Sequence, residues 1–89
     1  MKKTSDELLG YVKAGRYRKK ILLVLKSEHD LCPREIADEI NYTLSHTSNT
    51  LTELNKFGLI KCKNPNARKG RLYCLTKIGQ TICEKLGPK

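Results

Sequence analysis

Residues 43–58 read Thr-Leu-Ser-His-Thr-Ser-Asn-Thr-Leu-Thr-Glu-Leu-Asn-Lys-Phe-Gly. Thr43 is a good N-cap and Gly58 a good left-handed terminator, so the spacing predicts a helix over 44–57. At roughly 100° per residue, Leu44, Thr47, Leu51 and Leu54 share one face, which is expected to be core. The opposite face holds Ser45, Asn49, Thr52 and Lys56, flanked by His46 and Glu53. These side chains are short and hydrogen-bonding where an ordinary solvated face would carry long charged ones. Ser and Thr can meet several base edges, Asn can grip adenine twice, and His can donate to guanine or to phosphate. The helix is therefore expected to read bases, with Thr43, Ser45, His46, Ser48, Asn49, Thr52 and Lys56 as its contact set. Glu53 would repel phosphate, so it is expected to face a base amine or water, or to brace a neighbour such as Lys56.

Upstream, Cys32-Pro33-Arg34-Glu35-Ile36-Ala37 opens a shorter helix, with Pro at its first position and Ile36, Ala37 and Ile40 inward. Asn41-Tyr42-Thr43 breaks it. Two helices joined by so short a turn make a helix-turn-helix over 33–57. Downstream, 59–76 reads as a hairpin. Leu59 to Lys63 alternates, Asn64-Pro65-Asn66-Ala67-Arg68-Lys69-Gly70 is loop chemistry, and Arg71 to Leu75 returns with Tyr73 and Leu75 inward. The loop is expected to be a wing in which Asn66, Arg68, Lys69 and Arg71 meet phosphates or a narrow minor groove. Arg71 competes for a structural role at the start of its strand.

The flanks complete a single domain over 1–89. Thr4-x-x-Glu7 has capping-box spacing, and a first helix is expected to end near Ala14-Gly15. Arg16 to Ser27 carries Tyr17, Ile21, Val24 and Leu25 on one stripe, with Leu22 and Leu23 in excess of it. Glu28-His29-Asp30 reads as a turn, with His29 a surface residue, and Leu31-Cys32 as a short isolated strand. Thr76 caps a last helix over 77–86 that carries Ile78, Ile82 and Leu86, with Gly87-Pro88 ending it. The fold class is thus mainly α with a small β-hairpin: a winged helix-turn-helix.

Charge points the same way. The 89 residues carry 18 Lys and Arg against 9 Asp and Glu, a net +9. Between Leu8 and Ser27 there are six bases and no acid, and between Leu54 and Cys83 seven bases and no acid, while 28–53 is mainly acidic. Segregation of this kind makes a positive face suited to a polyanion. Arg16, Arg18, Lys19 and Arg34 are candidates to clamp the flanking DNA backbone.

Composition excludes several classes. At 89 residues a single domain is expected, without a second, substrate-binding one. No Ser, Cys or carboxylate sits at a spacing that builds a triad or paired-acid site, and no Gly-rich loop cradles phosphate. Cys32, Cys62, Cys74 and Cys83 lack paired-ligand spacing, which predicts reduced thiols and no metal. A Cys62–Cys74 contact across the hairpin stays open. No apolar run is long enough to span a bilayer, and Met-Lys-Lys-Thr-Ser-Asp-Glu turns polar where a secretory leader turns apolar, so a cytoplasmic protein is expected.

These stretches together, with Gly58-Leu59-Ile60, the run from Arg68-Lys69-Gly70-Arg71 to Thr76, and Gly79, resemble the small winged-helix transcriptional regulators of the MarR/ArsR-like group, especially archaeal ones. The likeness covers about residues 16–82. It implies a DNA-binding regulator of double-stranded DNA, acting as a homodimer without cofactor. The paired-cysteine motif of some ArsR-like metal sensors is missing, so metal sensing does not carry over. That family usually has Val or Ile where Thr47 stands, and the Thr47 hydroxyl is expected to bond back to the carbonyl of Thr43 or Leu44. The apolar surplus at Leu8, Leu9, Val12, Leu22, Leu23, Ile82 and Leu86 suggests the subunit contact. The alternative is a winged-helix module that binds an acidic protein in a transcription or replication complex.

Overall fold

The computed structural model describes residues 4–28 and 30–86. The readings of His29 and of Gly87-Pro88 lie outside the described residues. Five helices and one two-stranded antiparallel sheet follow in the order α1 (Ser5–Ala14), α2 (Arg16–Glu28), α3 (Pro33–Ile40), α4 (Leu44–Lys56), β1 (Ile60–Cys62), β2 (Tyr73–Leu75) and α5 (Lys77–Leu86).

Local chemistry sets most boundaries. Thr4 and Glu7 close a capping box, the Glu7 amide donating to Thr4 Oγ1 at 3.2 Å and the Thr4 amide to Glu7 Oε1 at 2.9 Å. At the start of α3 the Cys32 amide donates to Glu35 Oε1 at 3.0 Å, while Pro33 takes the first turn, where no N–H is needed. That bond favours the ionised carboxylate and lowers the Glu35 pKa. Asn41 ends α3 in the left-handed region, φ 56°, and its short side chain tolerates this better than most. Gly58 does the same after α4 at φ 78°, where a side chain would be strained. Thr76 joins the sheet to α5: its hydroxyl donates to the Gly58 carbonyl at 2.6 Å and accepts from the Gly79 amide at 3.0 Å.

The helices and the inner face of the sheet enclose one core of Leu8, Val12, Ile21, Leu22, Leu25, Ile36, Ile40, Leu51, Leu54, Leu59, Ile60, Leu75, Ile82 and Cys83. Four residues of the expected subunit contact, Leu8, Val12, Leu22 and Ile82, belong to this core, because α1 packs on α5 and α2 packs on both. Leu9, Leu23 and Leu86 are only partly covered. Leu44, expected in the core, is 45% exposed, and Ile78 is 49% exposed. The inward stripe of α4 is Thr47, Leu51 and Leu54.

The sheet is shorter than the alternation predicts. Ile60, Lys61 and Cys62 pair with Leu75, Cys74 and Tyr73, and one further bond runs from the Lys63 amide to the Leu72 carbonyl at 2.8 Å. Beyond it Asn64 replaces the ladder. Its Oδ1 accepts from the Leu72 amide at 2.7 Å and its Nδ2 donates to the Gly70 carbonyl at 3.1 Å. Leu31 adds an isolated antiparallel bridge to Tyr73, as Leu31-Cys32 predicts. Cys62 lies opposite Tyr73 and Cys74 opposite Lys61, so the two thiols point to opposite faces of the sheet and make no cross-strand contact. All four cysteines are free.

Candidate nucleic-acid interface

Helix α4 is held from behind by buried Thr47, Leu51 and Leu54, which turns the rest of its surface outward. Ser45, His46, Asn49, Thr52 and Lys56 are exposed, and Ser48 is half-buried. Thr43 is exposed as well, but its hydroxyl caps the helix: it accepts from the His46 amide at 3.2 Å and lies 2.8 Å from His46 Nδ1. His46 is therefore a ring held in place. It stacks on Tyr42 at 5.2 Å between centroids, and Tyr42 stacks face to face on Tyr17 of α2 at 3.6 Å. Lys20 lies 5.5 Å from the centre of the Tyr17 ring. This column ties the start of α4 to the basic outer face of α2.

Hydroxyl direction matters to what the helix can read. Thr52 donates to the Ser48 carbonyl at 3.0 Å and Thr50 to the His46 carbonyl at 2.9 Å. With its proton turned inward, Thr52 offers outward only lone pairs and a methyl group. Those suit a cytosine or adenine amine and a thymine methyl. The Thr47 hydroxyl does not make the expected back-bond. It is fully buried and has no partner among the described residues.

Glu53 does not brace Lys56. Its carboxylate accepts from the Tyr11 hydroxyl at 2.8 Å and lies 3.9 Å from Arg18 Nη2. Burial, helped by that carboxylate, pushes the Tyr11 phenol up to about 12. Arg18 is correspondingly committed: Nη1 donates to the Tyr11 carbonyl at 2.8 Å, and the guanidinium sits 3.9 Å over the Tyr11 ring.

After α4 the chain turns at Gly58 straight into β1, so helix and wing hang on one corner. In the wing loop Asn66, Arg68 and Lys69 are exposed and make no hydrogen bond or ion pair among the described residues. Arg71 is exposed too, but its Nε donates to the Ala67 carbonyl at 2.9 Å, the structural role its position allows. Asn64, which organises the loop, was not among the expected contacts. An Asn opening a Pro-containing loop is its only local signal. Lys63 pairs with Asp30 at 3.0 Å, which raises its pKa. Arg16 and Lys19 are exposed on α2 and Arg34 on α3. Among the described residues no group of His, Cys, Asp and Glu could hold a metal, and no helix is long and apolar enough to cross a membrane.

The chain has the MarR-like winged-helix fold. It superposes on a cysteine-to-serine mutant of MarR from E. coli complexed with operator DNA with a TM-score of 0.73 and 26% identity, over 91% of this chain and 59% of that one. The apo wild-type MarR from E. coli matches with the same TM-score of 0.73 and 27% identity, over 91% and 64%. The chain thus spans less than two thirds of the length of either structure. Both come from E. coli, so the archaeal leaning of the resemblance gains nothing from them. No family model matches the sequence, and no curated protein matches it.

Proposed function

We propose that this chain is a sequence-specific regulator of transcription that binds double-stranded DNA as a homodimer in the cytoplasm. Helix α4 enters the major groove and reads bases with Ser45, His46, Ser48, Asn49 and Thr52, while Thr43 and Lys56 meet the groove edges. The wing, through Asn66, Arg68 and Lys69, grips the flanking backbone or minor groove, with Arg71 shaping the loop that presents them. Arg16, Lys19 and Arg34 reach the strands on either side. The observation that carries this reading is the outward face of α4: short polar side chains, all but Ser48 exposed, on a helix whose other face is buried. Such a face costs little to desolvate and is shaped for base edges.

The MarR structure complexed with operator DNA supports the same reading, since 91% of this chain aligns with it. Two copies related by a two-fold axis would set their α4 helices in successive major grooves. Partly covered Leu9, Leu23 and Leu86 and exposed Ile78 are the candidate apolar side chains for the subunit contact. In this reading the protein is a binder and performs no catalysis.

Selection of bound duplexes from a random pool tests the proposal. The expected result is an enriched motif with two half-sites about one helical turn apart. A pool that emerges unenriched, with weak binding to every duplex, overturns it in favour of a protein-binding module. Solution mass tests the dimer separately, and a strict monomer at micromolar concentration rejects it.

A further inference from the structure

Glu53 is the only acid on α4, and it is exposed at the flank of the face that the proposed function gives to DNA. An isolated carboxylate there would repel phosphates. Instead, two other helices converge on it. Tyr11 of α1 donates its hydroxyl at 2.8 Å, and Arg18 of α2 brings its guanidinium to 3.9 Å. Arg18 is itself locked to the Tyr11 carbonyl at 2.8 Å and to the Tyr11 ring at 3.9 Å. The same ring meets Phe57, the residue that ends α4, edge-on at 4.8 Å. Gly15 makes room for this arrangement: a Cβ there would lie 2.6 Å from Arg18 Cδ, in the path of the side chain as it folds back over the α1–α2 corner.

We infer that Tyr11 and Arg18 are positioning residues for DNA reading, which act through Glu53 to set the rotation and pitch of α4 without touching DNA themselves. The inference rests on the proposed function for its consequence, and on geometry for its cause. Behind α4 lie Thr47, Leu51 and Leu54. Apolar packing holds α4 on the core but is non-directional, and a hydrogen bond to one carboxylate adds a directional constraint on its rotation. A small roll of α4 would carry Asn49 and Thr52 off their base edges, because these side chains are too short to compensate. The node also offsets the Glu53 charge with that of Arg18, which takes Arg18 out of the set of free backbone clamps.

Three variants test this: Tyr11→Phe, which removes only the hydroxyl, Glu53→Ala, and Glu53→Gln, which keeps an acceptor. Each is measured against the duplex selected by the wild-type protein and a scrambled duplex of equal length. Amide hydrogen exchange on α4 without DNA is recorded in parallel, after a thermal melt confirms folding. Tyr11→Phe and Glu53→Ala are expected to weaken the selected duplex about three- to tenfold, as loss of one net hydrogen bond implies, and to leave the scrambled one unchanged. Exchange should quicken over residues 51–56, and Glu53→Gln should recover most of the loss. If Glu53 matters only as a charge, Glu53→Ala tightens binding to both duplexes, which overturns the inference. Unchanged exchange in all three variants overturns it too. Should the wild-type protein prefer no duplex, the proposed function fails, while the exchange data still decide whether the node fixes α4.

Discussion

Helix α4 and the wing loop between Asn64 and Leu72 sit a few residues apart and are built on opposite plans. The helix presents short, mostly uncharged side chains on a backbone pinned by Thr47, Leu51 and Leu54, with Glu53 tied to two further helices. The loop presents Arg68 and Lys69 on a backbone organised chiefly by the side chain of Asn64. Reading bases needs donors and acceptors held to a fraction of an ångström, whereas gripping phosphate needs charge and reach. In the proposed reading, the contrast separates specificity from affinity within one module.

The corner that joins the two regions is where the comparison breaks most easily. A Cβ on Gly79 would strike the Leu59 carbonyl oxygen, which is backbone and also accepts from the Thr76 amide. Gly79→Ala should therefore cost about 3 kcal/mol and shift the wing root against α4, seen as a lower urea midpoint with strand resonances displaced. Gly10→Ala is the control, since nothing lies within 4 Å of its Cβ and α1 should gain about 0.5–1 kcal/mol.

Next in size are the losses that set reading against gripping. Asn49→Ala should cost about 1–3 kcal/mol on the selected duplex, relax preference at one base pair and leave the salt slope alone. Arg68→Ala combined with Lys69→Ala should weaken all duplexes alike and reduce the salt slope by about 2. Salt titrations on selected and scrambled duplexes check both. Equal effects of the two variants on every sequence would dissolve the division of roles.

A smaller effect of opposite sign is expected inside α4. Thr47→Val removes a buried hydroxyl without a partner among the described residues while keeping the shape, and should stabilise the fold by about 1 kcal/mol in chemical denaturation. A loss of stability would mean that the hydroxyl has a partner in solution.

The smallest effect is a pH dependence. The Tyr11 phenol ionises at about 12 in the fold against 10.0 for an ordinary tyrosine, because burial and the Glu53 carboxylate both favour the neutral form. A folded pKa raised above the unfolded one means a contribution that is complete below pH 10 and lost as pH rises toward 12. The urea midpoint should fall across that window in the wild type, and Tyr11→Phe should lack that component.

Much of the architecture was legible because its signals are local. Thr4, Pro33, Thr43, Gly58 and Thr76 each act within a few residues, through a hydroxyl, a fixed φ or a missing Cβ, and the helices begin or end where those residues stand. The exposed face of α4 was legible for the same reason, since it follows from helical period alone. Leu44 shows the limit. Period places it on the apolar stripe, but the core behind α4 begins only at Thr47. The hairpin shows another, because alternation cannot tell a ladder bond from the Asn64 side-chain bonds that take over beyond Lys63 and Leu72.

Order along the chain, with its caps and turns, was enough to specify a winged helix and the exposed polar face of α4, because capping and helical period are properties of neighbouring residues. Which of those residues are free to act was settled by folding. Arg18 and Glu53 look like a clamp and a stray acid until Tyr11, 42 residues from Glu53, closes on them. Leu8, Val12, Leu22 and Ile82 look like a subunit contact until α1, α2 and α5 bury them against one another. Both outcomes depend on contacts between segments remote in the chain, and no local pattern encodes which remote partner will arrive.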